Sequence, residues 1–331
     1  MPPNVVLLLC IIFVSYLLFR VDPRLSPSAS SALWVPLIWI LVVGTREPSQ
    51  WFNVSAGIDS LDDLETASSL DMLLYSSLFI AGLLILFRRR VKWGGLMNGN
   101  ILLILFIVYC GASILWSDYP QVSFKRWVKL VGSVIVALIV ATDVNPGEAV
   151  QTMLRRWAYI LVPFSVVAIK YYPEIGKGYG SVYGEARYMG VALHKNSLGA
   201  ICLIAGIILL WSYVVREKAG LLSKEIRISH MAMVLMTAWL FLKAQSATAL
   251  ICFGVGALII VVSRAMVYRG NPKKLSWSTL LGGLGVGFLV AMIGSVASLV
   301  SGVGRDATLT GRTKIWELVQ IANNFLRWVA T

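Results

Sequence analysis

Long apolar runs, broken at intervals by short polar or charged segments, set the pattern of this chain. Most of these runs approach the ~20 residues a helix needs to cross a hydrocarbon core. They lack the roughly ten-residue alternating segments of a transmembrane barrel. The pattern predicts ten spans, at roughly 4–20, 31–45, 70–87, 99–116, 127–142, 156–172, 197–215, 229–244, 246–263 and 277–300. The eighth and ninth are closely coupled around Lys243-Ala244-Gln245-Ser246, and a short amphipathic segment, Lys314 to Val329, closes the sequence. The expected fold class is all-α: a polytopic integral membrane protein with about ten transmembrane helices, 1–331 forming a single membrane domain.

Composition strengthens this picture. Of 331 residues, 58% are hydrophobic and 14% charged, and the mean hydropathy is +0.77. A soluble domain carries about 25% charged residues. Cys10, Cys110, Cys202 and Cys252 all lie inside apolar runs. They read as small core or lipid-facing residues, with no disulfide framework and no metal site. Val5 to Phe19 lacks the basic leader and small-residue cleavage site of a signal peptide, so it reads as a retained first helix.

The net charge of +13 raises the question of nucleic acid, but its distribution answers it differently. Lys and Arg gather on the cytoplasmic side of membrane helices. With Arg88-Arg89-Arg90-Val91-Lys92 placed there, alternation puts 16 basic and 5 acidic residues on that face and 13 basic and 11 acidic on the other. The N-terminus is then outside. Thirteen basic residues is a high count for an outer face. Asp59, Asp62, Asp63, Glu65 and Asp71 balance only one loop, and the other outer loops are locally basic. Cations held on the face that disfavours them point to function. Snorkelling toward lipid phosphates is the plainer explanation.

Three clusters on that face carry candidate chemistry. The first is Gly304-Arg305-Asp306-Ala307-Thr308-Leu309-Thr310-Gly311-Arg312-Thr313-Lys314-Ile315-Trp316, which follows the last predicted span. Its guanidinium forks among hydroxyl-bearing residues suit a phosphate-bearing ligand. The second runs from Tyr171 to Lys195 and on to Gly199, through Gly184-Glu185-Ala186-Arg187-Tyr188 and His194-Lys195-Asn196-Ser197. Tyrosine rings stack on sugar faces, and His194, Lys195 and Asn196 can donate to phosphate or hydroxyl oxygens at a helix N-terminus. An interfacial aromatic belt with Asn196 as a helix cap accounts for the same residues. The third is Trp116-Ser117-Asp118-Tyr119-Pro120, continuing to Lys125-Arg126-Trp127-Val128-Lys129. Arg126 and Lys129 are three apart on one helix face, spaced to hold a pyrophosphate or to anchor lipid headgroups.

Soluble-enzyme fingerprints are missing: there is no P-loop, His-Glu-x-x-His, zinc pattern or nucleophile elbow. His230 reads as an interfacial residue at the start of the eighth span. The pairs Gly95/Gly99 and Gly283/Gly287 read as helix contacts.

Taken in order, Trp-Ser-Asp-x-Pro…Lys-Arg, Gly-x-x-x-His-Lys-Asn-x-Leu-Gly and Gly-Arg-Asp-x-Thr-Leu-Thr-Gly-Arg-Thr-x-x-Trp resemble the O-antigen ligase/O-antigen polymerase family. Leu33-Trp34-Val35-Pro36 and Gly44-Thr45-Arg46-Glu47-Pro48-Ser49-Gln50-Trp51 are similar to its exopolysaccharide-polymerase branch. The resemblance covers nearly the whole chain. It implies an integral-membrane glycosyltransferase in the bacterial inner membrane. Such an enzyme moves glycan from an undecaprenyl-diphosphate carrier onto an acceptor glycan or glycolipid at the periplasmic face. It implies no nucleotide sugar, no cofactor, no metal and no nucleic acid, with membrane lipids as surroundings. Carried over by motif, Arg126, Arg187, Arg305 and Arg312 hold the diphosphate, with Lys129, Lys195 and Asn196 beside them. Fixed cations there favour the charge that develops on the leaving diphosphate, which gives Arg312 a catalytic role. His194 or a carboxylate assists the acceptor hydroxyl as base. Family members continue past this point into a periplasmic region and further helices with a His-bearing motif. A C-terminally incomplete member is therefore expected, with an inactive remnant as one consequence. A flippase or transporter of lipid-linked glycans is the rival reading. Transporters place ionisable residues deep in several helices, and such residues are scarce in these spans.

Overall fold

The structure, a computed structural model, describes residues 2–52, 69–89, 91, 93–179, 186–217 and 223–268. The predicted tenth span, the closing amphipathic segment and the Gly304–Trp316 cluster lie outside them. The chain divides into two compact units, Met1–Gln245 and Ser246–Thr331.

The first unit contains eight long helices: α1 (Pro3–Leu25), α2 (Trp34–Gly44), α3 (Ser69–Arg88), α4 (Ile101–Ala112), α5 (Pro120–Ala141), α6 (Pro146–Tyr171), α7 (Lys195–Glu217) and α8 (Lys224–Ala244). The described part of the second unit is α9 (Ala247–Tyr268). Each of the first nine predicted spans coincides with a helix. Among the described residues six helices are long and apolar enough to cross a membrane, and shorter apolar helices run over Ser31–Gly44 and Ile101–Trp116. Leu73, Leu102 and Leu242 keep 68%, 79% and 78% of their surface exposed. Water would penalise such faces, and lipid does not. The protein is an all-α, multi-pass membrane protein.

α6 is the hub. It packs against α1, α2, α5, α7 and α8, and 72% of its apolar window is buried, against 28% for α1. The main core gathers Val14 and Leu17 of α1, Tyr159 and Val162 of α6, Cys202 and Leu209 of α7, and Met233 and Leu240 of α8. Between hydrocarbon-soluble helices the attraction comes from close packing and polar contacts rather than from water exclusion. Gly132 of α5 shows the packing: Trp39 of α2 occupies the space a β-carbon would take, and its indole Nε1 donates to Ser133 Oγ at 3.2 Å. Trp39 also meets Tyr75 of α3 edge-on, with ring centroids 5.4 Å apart.

Several expectations need correction. α5 and α6 begin at Pro120 and Pro146, well before the predicted 127 and 156, each with proline in the first turn, where no N–H is needed. Arg155 and Arg156, at the predicted start of the sixth span, are therefore inside α6 and buried, at 0% and 7% exposed. His230 is likewise buried, at 2%. Gly95 and Gly99 lie in a short helix, Trp93–Gly99, and face open space, not a helix contact. The glycine- and tyrosine-rich turn contains two short antiparallel strands, β1 (Lys177–Tyr179) and β2 (Ala186–Tyr188).

Polar contacts collect at two ends of the first unit. Arg24 pairs with Glu225 at 2.8 Å, Arg89 with Asp143 at 2.6 Å, and Ser28 donates to Glu148 at 2.7 Å. Helix alternation puts Arg24, Arg89, Asp143, Glu148 and Glu225 on one face. At the other end Tyr172 Oη donates to Asn4 Oδ1 at 3.4 Å, and Lys129 pairs with Glu47.

Candidate functional site

α6 ends at Tyr171 and the chain turns at once through a short helix, Pro173–Gly176, into β1. The strands pair Lys177 with Tyr188, Gly178 with Arg187 and Tyr179 with Ala186. Directly opposed residues share one face of a ladder. Gly178 and Arg187 therefore share one face, and Lys177 and Tyr188 the other. Met189 packs over Gly178, 2.7 Å from where a β-carbon would stand.

Gly190 then turns the chain with φ +60°, a left-handed conformation that favours glycine. A β-carbon here would also meet Ser165 Cβ at 2.8 Å. Met189 and Gly190 donate to the Gly176 carbonyl at 2.9 and 3.1 Å, and Val191 N donates to Ser165 Oγ at 3.4 Å. The return strand is thus pinned to the body of α6. α7 starts four residues on, at Lys195. Asn196 lies inside its first turn and is not its cap, a position His194 takes.

Gly178, Arg187, Met189, His194, Lys195 and Asn196 line one open depression of about 310 Å³. Four of the residues singled out from sequence (Arg187, His194, Lys195 and Asn196) thus meet in one place, across a gap of seven residues in the chain. No carboxylate is among these lining residues. The first turn of α7 adds the positive end of the helix dipole. The arrangement can hold an anion against a fixed cationic wall, with an imidazole beside it to exchange a proton.

Lys129 and Arg126 stand apart from that depression. Arg126 is exposed on α5. Lys129 is committed to Glu47, with its ammonium 4.7 Å from the Tyr75 ring centroid. Tyr75 Oη also reaches Glu47 Oε1 at 3.5 Å. Of the two residues expected to grip a pyrophosphate, Arg126 is exposed and Lys129 is engaged with Glu47. Arg305 and Arg312 lie outside the described residues.

No family model matches the chain, and no solved structure matches it. Among curated proteins it is similar to the exopolysaccharide production protein ExoQ of Rhizobium meliloti (strain 1021). The two are 26% identical over 219 residues, covering 64% of this chain and 47% of that protein. The match spans about half the length of that relative.

Two further groups of residues surround the site without having been assigned a role from sequence. Arg46, just past α2, sends Nη2 to the Ile175 carbonyl at 2.8 Å. Its own carbonyl accepts from Trp51 Nε1 at 3.0 Å. Partial burial pulls the Arg46 pKa down from its ordinary value. Arg46 adjoins Glu47, so one short segment ties α5 to the base of the hairpin. On the hairpin's other face, Lys177 and Lys243 place their ammonium groups 5.8 and 5.0 Å from the Tyr188 ring. Arg46 and Glu47 had a sequence signal, the Gly44–Trp51 motif at an outer helix end. Lys243 had none beyond its place at the end of α8.

Proposed function

We propose that this chain is a membrane glycosyltransferase of exopolysaccharide assembly, taking glycan from a polyprenyl-diphosphate carrier. The observation that carries the reading is the convergence of Arg187, His194, Lys195 and Asn196 on one depression at the start of α7. The similarity to a protein named for exopolysaccharide production supports the same class of chemistry.

In this reading Arg187, Lys195 and the first turn of α7 hold the diphosphate. Asn196 donates to its oxygens or to a sugar hydroxyl. The bond between the anomeric carbon and the diphosphate oxygen breaks, and its electron pair stays on the diphosphate. The acceptor hydroxyl oxygen bonds to the anomeric carbon and gives its proton to His194. Cations fixed beside the leaving group stabilise the charge as it develops and need not reorganise. Arg126, Arg305 and Arg312 are further contacts for the carrier or glycan, facing the periplasm of a bacterial inner membrane.

The test is binding of undecaprenyl diphosphate to the purified chain, together with polymer formation in cells. Arg187→Ala and Lys195→Ala should each weaken binding by roughly ten-fold or more, the worth of a charge-assisted contact, and abolish polymer. Protein level in the membrane should not change. Full binding and normal polymer in both variants would sink the reading.

A further inference from the structure

The other end of the first unit holds an arrangement the proposed reaction does not use. α1 and α6 run antiparallel: Asn4 meets Tyr172 at one end, and Asp22 meets Arg155 and Arg156 at the other. From residue 4 to residue 22 a helix rises about 27 Å, close to the roughly 30 Å of a hydrocarbon core. The cluster therefore stands at the level of lipid headgroups on the opposite side from the candidate site. A π-helical turn, Leu17–Val21, immediately precedes Asp22.

The charges there do not balance. The side chains of Asp22 and Arg155 are 0% exposed and that of Arg156 is 9% exposed. One carboxylate serves two guanidiniums. It accepts from Arg155 Nε at 2.8 Å, from Arg155 Nη2 and from Arg156 Nε at 2.6 Å. Arg155 Nη2 also donates to Ser26 Oγ at 3.0 Å. Arg155 Nη1, Arg156 Nη1 and Thr152 Oγ1 are buried with no hydrogen-bond partner among the described residues. Thr152, Arg155 and Arg156 stand at i, i+3 and i+4 on α6, so all three share one face. Burying a net positive charge with open donors is expensive unless an anion answers it. Arg156, the least buried of the three charges, lies with its guanidinium 4.9 Å from the ring of Trp34, at the start of α2. That marks where the cluster meets its surroundings.

We propose that Thr152, Arg155 and Arg156 bind the phosphate of a membrane phospholipid. A phosphodiester carries one negative charge, which cancels the cluster's surplus of one. Its unesterified oxygens match the guanidinium forks, and the headgroup lies at the right depth. The inference is independent of the reaction proposed above.

The experiment titrates short-chain phosphatidylglycerol into the detergent-purified chain, reading retained lipid by native mass spectrometry and the melting midpoint. Diacylglycerol of the same chain length and inorganic phosphate are the other two arms. Phosphatidylglycerol should stay bound and raise the midpoint by a few degrees, and diacylglycerol should do neither. Arg156→Gln should abolish retention. Thr152→Val leaves every ion pair in place, so it reports even where the arginine variant fails to fold. It should weaken binding about ten-fold. The same stabilisation by inorganic phosphate alone upholds the anion site with free phosphate as its source. Equal effects of diacylglycerol and phosphatidylglycerol, or undiminished binding in Thr152→Val, overturn the proposal.

Discussion

Arg46 donates from Nη2 to the carbonyl oxygen of Ile175 at 2.8 Å, so the end of α2 holds the turn from which the hairpin springs. Arg46 does not line the depression, yet it fixes the backbone two residues before Lys177. Arg46→Ala should cost about 1.5–3 kcal/mol, the worth of a hydrogen bond from a charged donor. It should also weaken diphosphate binding. Arg46→Lys should restore less than half of either, because an ammonium cannot reproduce the planar fork. Thermal unfolding in detergent and a binding titration check both.

Gly190 is the second support. Alanine there must adopt φ +60°, at a cost of about 1–2 kcal/mol, and must push against Ser165. Gly190→Ala should misplace His194, Lys195 and Asn196 together. Gly190→Ala combined with Ser165→Gly should recover the steric part and leave the backbone part, less the Val191 N–H bond to Ser165 Oγ, whose loss the Ser165→Gly single variant measures. Comparing binding in the single and double variants separates the two.

Lys129 distinguishes a site residue from a structural one. Its pair with Glu47 is partly open, with side chains 41% and 34% exposed, so breaking it should cost under about 1 kcal/mol. Lys129→Met should leave diphosphate affinity within about two-fold of the parent. A loss comparable with that of Lys195→Ala would return Lys129 to the binding set.

Asp22→Asn should be among the most damaging single changes. It leaves Arg155 and Arg156 buried without their shared carboxylate, at about 3–5 kcal/mol. Asp143→Asn should do less, because Arg89 is 18% exposed and donates also to the Ile139 carbonyl. Membrane protein yield and unfolding midpoint give the order.

Gly132→Ala should cost about 1–3 kcal/mol by overpacking, since the Trp39 ring fills the space its β-carbon needs. Trp39→Phe in the same chain should recover part of that loss by freeing the space. A double-mutant cycle measures the coupling.

The long apolar runs by themselves determined the helical class and the places of nine helices, because a bilayer demands continuous apolar segments wherever the chain crosses. Alternation of basic residues also sorted Asp22, Arg24, Arg89, Asp143, Glu148 and Glu225 onto one face, and the structure groups their contacts at one end. Arg187, His194, Lys195 and Asn196 were legible as candidates because cations beside small and aromatic residues stand out in an apolar chain.

Only the tertiary structure decided which of the candidate residues line one depression and which stand elsewhere. Lys129, a binding candidate from sequence, stands paired with Glu47, 82 positions away. Arg155 and Arg156 stood at the start of the sixth predicted span until α6 proved to begin ten residues earlier and turned them onto Asp22. Sequence records the types and spacing of charges along one helix. Which partner faces them across a helix–helix contact depends on how α1, α2, α5 and α6 pack, and no local pattern encodes that.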